Sequence, residues 1–312
     1  LLPIPGDPFL LEEWLRHYAA IWKAEVDRLY ITVSWPQSHE VREAIRCAVD
    51  TYDPHAFVHF VAGGPTYDGL IGYGVKVDHG YALDALLQHV EEDYVVLMED
   101  DLYVRVPGEV DRGFTEVEQG EVDLVGPARG SASWEILQEC KRQWGTEIAA
   151  FWPHLLFTRA DTLRGVGTMN AKHWYPGEYV PGLGLTVPPA PEGALHGGCW
   201  SADTFSAASY ELRAQGRRCR DSGQVPPFAA GGRAFHVGSL SSGPLTGDAV
   251  ITYDGTWPYR VAWWRRCERG WGGGGLEEYR AAYQEAVAQH AARCGEAPLE
   301  AAAMLHDASV TW

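Results

Sequence analysis

Paired cysteines, basic charge and long apolar runs are what this chain lacks, and each lack removes a class of function. The six cysteines, Cys47, Cys140, Cys199, Cys219, Cys267 and Cys294, are scattered with no CxxC pair and no regular spacing. Neither a zinc site nor a disulfide framework is indicated, and they read as reduced packing residues. Lys and Arg together number 25 against 42 Asp and Glu, a net charge of -17. Binding to a nucleic-acid backbone depends on clustered cations, so this balance disfavours nucleic acid and the expectation is a protein without a nucleic-acid partner. A nucleotide stays compatible, because one bound cation reverses the local field of an acidic protein. No apolar run approaches the roughly 18 to 20 residues that span a bilayer, and no basic segment followed by an apolar one opens the chain. The expectation is a cytoplasmic protein without a transmembrane segment. The chain opens on Leu1 rather than Met and enters a strand-like segment almost at once, which leaves room for residues upstream.

Nucleotide motifs with unique strings are absent too. There is no GxxxxGK[ST] loop and no HExxH, and Gly69, Gly72 and Gly74 of GLIGYG lack the strand-to-helix spacing of a dinucleotide fingerprint. No internal repeat is visible.

What is present is an ordinary globular composition. The 312 residues are 46% hydrophobic with a mean hydropathy of -0.22, enough for one large α/β domain or two small ones. Residues 1–4 read as the tail of a strand and Pro5-Gly6-Asp7-Pro8 as a turn. Residues 9–23 place Leu10, Leu11, Trp14, Leu15, Tyr18 and Ile21 at helical spacing. A strand is expected over 28–34, ended by Trp35-Pro36, and a helix over 38–49, opened by Ser38 with Glu40 in its first turn. A strand over 57–62, a helix over 81–90 and a strand over 94–98 follow. Strands separated by short helices imply parallel pairing in a doubly wound sheet.

Beyond residue 100 the pattern loosens. Helices are expected over 107–119, 133–144, 204–215 and 276–294, and strands over 122–126, 154–158 and 234–237. Residues 175–199 are rich in Pro and Gly without periodicity, and so long an irregular loop in a compact domain reads as a lid.

The most informative stretch is VVLMEDDLYV, residues 95–104, where an apolar strand runs into Glu99, Asp100 and Asp101. Three adjacent carboxylates are hard to keep ionised together without a cation among them. Oxygen ligands suit Mg2+ or Mn2+, which keep open positions for substrate phosphates, and open α/β sheets bind ligands at the carboxyl ends of strands. The plain alternative is a solvated acidic turn.

The order of these features resembles the nucleotide-sugar half of a GT-A glycosyltransferase of the inverting, family-two-like kind. Its DxD motif would fall on Glu99-Asp100-Asp101 in an EDD form, with Asp101 the direct metal ligand. HGYALDALL, residues 79–87, is similar to the helix that family members place before that strand. Asp203, in SADTFSAASYELRAQG, resembles the position of the catalytic base, and FHVGS, residues 235–239, is similar to the late segment whose histidine, here His236, completes the metal site. Many family-two members carry two carboxylates at the base position, whereas Asp203 follows Ala202, so Glu192, Glu178 and Asp161 stand as substitutes. The resemblance spans residues 1–242 and implies a GT-A fold, Rossmann-like and mostly parallel. It divides the chain into a nucleotide-sugar half (1–127), an acceptor and catalytic half (128–260) and a C-terminal helical extension (261–312).

What the resemblance implies is a hexosyl- or pentosyltransferase with Mn2+ or Mg2+ as cofactor. Its donor would be a nucleotide diphosphate sugar, UDP-linked first and GDP-linked second, and its acceptor a glycan, a lipid-linked sugar or a small molecule. Pro5, Asp7, Asp68, Glu99, Asp100, Ser239 and Ser242 would contact the nucleotide sugar, and Trp152, His154 and Trp200 would lie on the acceptor or lid side. Each residue also has a plain reading: Asp203 as a helix cap, His236 as a core histidine, Asp7 and Asp68 as turn residues, and Ser239 and Ser242 as parts of a surface turn. Residues 257–271 set Trp257, Trp263, Trp264 and Trp271 beside Arg260, Arg265, Arg266 and Arg269. Such a mixture suits a sugar face or a membrane surface, although core aromatics beside a solvated basic face are the commoner arrangement.

Two other functions compete. A nucleotidyltransferase of related topology would need a Gly-rich basic loop after the first strand, and Pro5-Gly6-Asp7-Pro8 has no basic residue. A glycan-binding or scaffold protein would suit the 13 tryptophans, but it has no use for a base. The Ala, Gly, Arg and Trp bias resembles that of high-GC bacterial proteins.

Overall fold

The structure is a computed structural model that describes residues 1–4, 8–33, 39–61, 79–100, 102–104, 106–127, 151, 153–170, 172–180, 184–187, 189, 200–202, 204–222, 234–236, 277 and 281. In chain order the elements are β1 (Leu2–Ile4), α1 (Pro8–Ile21), β2 (Tyr30–Val33), α2 (His39–Tyr52), β3 (Phe57–Phe60), α3 (His79–Leu87), β4 (Tyr94–Leu97), β5 (Leu102–Val104), α4 (Glu109–Glu118), β6 (Leu124–Gly126), β7 (Leu156–Arg159), α5 (Ala160–Arg164), β8 (Lys172–Trp174), β9 (Tyr179–Val180), β10 (Leu185–Thr186), β11 (Trp200–Ala202), α6 (Ser206–Ala214), β12 (Cys219–Asp221) and β13 (Ala234–His236). The fold class is α/β, as the alternation of strands and helices implies. The chain divides into two compact units, one of Leu1, Gly64–Met98 and Asp111–Gln224, the other of Leu2–Gly63, Glu99–Val110 and Val225–Trp312.

The second unit is built on a parallel sheet in the order β1-β2-β3. Every residue of β1 and β2 is buried, as expected for parallel strands covered on both faces. The helical stripe of α1 buries Leu11, Trp14, Leu15 and Tyr18. Trp22, just past the helix, closes an aromatic cluster: Trp14 stacks on Tyr18 at 5.5 Å, and Trp22 meets Tyr18 edge-on at 4.7 Å. The Tyr18 hydroxyl donates to Asp53 Oδ2 at 2.9 Å, and Lys23 Nζ lies 3.2 Å from Asp53 Oδ1. Burial, followed by the nearby Asp53 carboxylate, raises the Tyr18 pKa. Asp53→Ala leaves a buried hydroxyl without its acceptor and is expected to cost about 2–3 kcal/mol. Urea titration checks this as a lower midpoint at unchanged slope.

The same helix grips β5. Trp14 Nε1–H donates to Leu102 O at 3.0 Å, and His17 Nε2 lies 2.5 Å from Val104 O, an arrangement that requires the proton on Nε2. Glu25 accepts from the Gly108 and Val110 amides at 2.7 and 2.9 Å, tying down the chain just beyond β5. Burial lowers the His17 pKa below its ordinary 6.5, and the bond to Val104 opposes that shift. A depressed histidine pKa means that the unfolded chain binds the extra proton first as pH falls. The stability of this joint is therefore complete above pH 6.5 and lost progressively below it. Denaturation midpoints at pH 7.5 and 5.5 are expected to differ more in the wild type than in His17→Gln, which still donates to Val104 but does not titrate.

The first unit holds a four-stranded sheet in the order β12-β6-β7-β4. β12 and β6 are parallel, while β7 runs antiparallel to both β6 and β4. The alternation of helices and strands carries no direction for a strand entered after a long connection, and β7 is such a strand. Leu1 N–H donates to Val96 O at 2.5 Å and Met98 N–H donates to Leu1 O at 3.0 Å. Bonds to the residues flanking Leu97 are the parallel pattern.

Within residues 175–199 the described residues form a turn and a hairpin where an irregular lid was expected. Tyr175-Pro176-Gly177-Glu178 is a tight turn with Glu178 N–H donating to Tyr175 O at 3.0 Å. Gly177 has φ 91°, a conformation glycine adopts without strain. The hairpin of β9 and β10 follows, and most of the remainder lies outside the described residues. Strands of two or three residues, among them β5, β8, β9, β10, β11 and β12, are too short to show a period of two. Of the C-terminal helix expected over 276–294, Glu277 and Ala281 are helical and the rest lies outside the described residues, as do the helix expected over 133–144 and residues 257–271. Among the described residues no helix is long and apolar enough to cross a membrane.

Candidate functional site

The acidic triplet leaves a strand buried from Val95 to Met98. Leu102 N–H donates to Glu99 O at 3.2 Å, closing a tight turn from Glu99 to Leu102. Asp100 is only 2% exposed and Glu99 is half-buried. A solvated acidic turn would expose its carboxylates, so that plain reading does not describe Asp100. Asp101 lies outside the described residues.

β13 pairs with β5 antiparallel, Leu102 opposite His236, Tyr103 opposite Phe235 and Val104 opposite Ala234. The late His-bearing segment therefore lies against the strand that begins one residue after Asp101. Carboxylate and imidazole together are a donor set that fits Mn2+ and, through its oxygens, Mg2+. Among the described residues no group of three His, Cys, Asp or Glu side chains could hold a metal ion. The Asp101 and His236 side chains are not among those described.

A second cluster forms in the first unit around the start of α6. β11 pairs antiparallel with β8, Ala202 opposite Lys172 and Trp200 opposite Trp174. Asp203, outside the described residues, is the next residue in the chain after β11. The N-cap of α6 is Phe205, with φ 68° and no side-chain cap bond. Asp203 precedes that cap by two residues in the chain. Of its substitutes, Asp161 is 90% exposed and 2.8 Å from Arg164. Glu178 is exposed and accepts from its own turn at Tyr175 N–H, 2.8 Å away, and Glu192 lies outside the described residues.

His154 is buried in the same unit. Leu155, beside it, has φ 55°, and Phe151 N–H donates to Ser209 Oγ at 3.3 Å, so this segment is tied to α6. Trp200 is placed by its backbone in β11. Trp152, Pro5, Asp7, Asp68, Ser239 and Ser242 lie outside the described residues.

Sequence reasoning missed several residues that hold these parts. Trp14 and His17 grip β5 as described. Asp84, on α3, accepts from Thr168 Oγ1–H at 2.6 Å and from Met169 N–H at 3.2 Å to each carboxylate oxygen. Burial raises its pKa, and the bonds from Thr168 and Met169 act against that rise. The available signal was a carboxylate set among Ala82, Leu83, Leu86 and Leu87, all of which are buried.

No family model matches this chain, and no curated protein does. Among solved structures the chain is similar to the mannosyltransferase PcManGT from Pyrobaculum calidifontis, in complex with GDP-Man and Mn2+. The identity is 15% and the TM-score 0.42, over 97% of this chain and 76% of that one. That likeness is too slight to assign a role to any residue.

Proposed function

We propose that this chain is a metal-dependent glycosyltransferase of the GT-A type. It transfers a sugar from a nucleotide diphosphate sugar, UDP-linked first and GDP-linked second, to an acceptor hydroxyl with inversion. The observation that carries the reading is the β5–β13 register, which lays the His236 segment against the strand opened by the acidic triplet. The burial of Asp100 supports it, because a buried carboxylate in a turn needs a reason beyond solvation. The division at residues 127 and 260 into donor half, acceptor half and helical extension belongs to the same proposal.

Asp101 and His236 would hold Mn2+ or Mg2+, and the cation when bound supplies Lewis-acid neutralisation of the departing diphosphate. Pro5, Asp7, Asp68, Glu99, Asp100, Ser239 and Ser242 bind the donor. Asp203 accepts the proton of the attacking hydroxyl. The acceptor oxygen then forms its bond to the anomeric carbon as the bond to the diphosphate oxygen breaks. With base and leaving group on opposite faces, one displacement inverts the centre. Trp152, His154 and Trp200 line the acceptor side.

The test is a thermal-shift panel of UDP, GDP, CDP and dTDP, each with and without Mn2+. A rise for one diphosphate that requires the metal is expected, since a ligand that binds only the folded state raises apparent stability. No rise with any of the four sinks the donor-site assignment. Saturable glycan binding without release of a nucleoside diphosphate would replace the reading with a glycan-binding protein.

A further inference from the structure

Asp84 carries the strongest unexplained arrangement among the described residues. Its carboxylate receives the Thr168 hydroxyl and the Met169 amide. Thr168 Oγ1 in turn accepts from Asn170 N–H at 3.1 Å, so the residues on both sides of Met169 are hydrogen-bonded. Met169 then faces the other way as well: its carbonyl accepts from Phe205 N–H at 2.8 Å. Phe205 is fully buried and held at φ 68°, a left-handed conformation that costs a non-glycine residue energy and persists only where its surroundings over-determine it.

Gly80 shows how closely α3 lies on this segment. A Cβ there would sit 2.1 Å from Met169 O and 2.3 Å from Asn170 N. Gly80 and Asp84 are one helical turn apart and so share a face. That face meets a stretch of backbone, which only a glycine can approach so closely, and which the carboxylate then fastens. An apolar residue at position 84 would avoid burying a carboxylate but would leave the Met169 amide and the Thr168 hydroxyl without this acceptor. What the carboxylate adds is direction: it holds the Met169 N–H and the Thr168 hydroxyl, and Thr168 Oγ1 in turn holds the Asn170 N–H, which shares a peptide with the Met169 carbonyl on which the Phe205 turn hangs.

We propose that Asp84 is a positioning residue: through Thr168 and Met169 it latches the left-handed Phe205 turn, which follows Asp203 in the chain by two residues. The proposal rests on the reading of Asp203 as the base. Asp84 touches no reacting atom. It acts by keeping the turn in one conformation.

The experiment uses the full chain with Mn2+, measuring nucleoside diphosphate release from UDP-glucose and GDP-mannose, and hydrogen exchange at the Met169 and Phe205 amides. Asp84→Ala is expected to speed exchange at both amides at least tenfold and to lower kcat at least tenfold, with donor KM within twofold of wild type. Asp84→Asn keeps an acceptor oxygen and should restore most of both. Thr168→Val removes one hydroxyl and provides the milder variant should Asp84→Ala fail to fold. Unchanged exchange at Phe205 in Asp84→Ala, or faster exchange with unchanged kcat, overturns the latch. Full turnover in Asp203→Asn instead overturns the base assignment and leaves the exchange result to judge the latch. If neither donor is turned over, the exchange at Phe205 decides alone.

Discussion

Asp203→Asn is expected to lower the turnover of the proposed transfer by about 10²–10⁴-fold, the range that general-base catalysis contributes. Asparagine keeps the size and hydrogen-bonding reach of the side chain but does not take up the proton of the attacking hydroxyl. Donor binding should survive, because the proposed donor contacts are elsewhere. The metal-dependent thermal shift with the nucleoside diphosphate should therefore match wild type, and donor KM should stay within a few-fold. This split between kcat and KM is the signature of an interaction made in the transition state. Unchanged kcat returns Asp203 to a structural role.

Asp101→Ala is expected to abolish the metal-dependent part of the thermal shift. A ligand present at a hundred times its Kd adds about 2.7 kcal/mol to the folded state, and for a domain of this size that raises the midpoint by roughly 5 °C. Removing a direct ligand of the cation should bring the midpoint with nucleotide and Mn2+ down to that with nucleotide alone. Asp101 falls within the stretch bridged by Glu99 O and Leu102 N–H, and β5, which follows it, is held by Trp14 and His17. The variant should therefore stay folded, with its ligand-free midpoint within about 2 °C of wild type. A retained shift would move the metal away from the acidic triplet. A collapsed ligand-free midpoint would instead mark Asp101 as a structural residue of the turn.

Much of the fold up to residue 100 was legible before any coordinates. The strand expected over 28–34 is Tyr30–Val33, the helix over 38–49 is His39–Tyr52, and the helix over 81–90 is His79–Leu87. These elements announce themselves locally: a β-branched run stopped by Trp35-Pro36, and apolar residues at helical spacing. The direction of β7 was not legible, because the pattern of apolar residues is the same whichever way a strand runs. Nor were β8 and β11, whose three residues each show no alternation, although their pairing is what brings the chain to Asp203.

The candidate site divides along the same line. The acidic triplet, FHVGS and Asp203 stand out by residue type and order in the sequence. That Phe235 and His236 of this segment lie against the strand after the triplet is a fact of pairing between distant strands. The latch of Asp84 on Thr168 and Met169 likewise joins residues far apart in the chain. By itself the sequence determined the class of fold, the order of its first strands and helices, and the residue types available for chemistry, since these depend on neighbours within a turn or two. The tertiary structure alone decided strand direction, the β5–β13 register, the grip of α1 on β5 and the support of the Phe205 turn. Each of those is a hydrogen bond between backbones or side chains that only folding brings within 3 Å or so of each other.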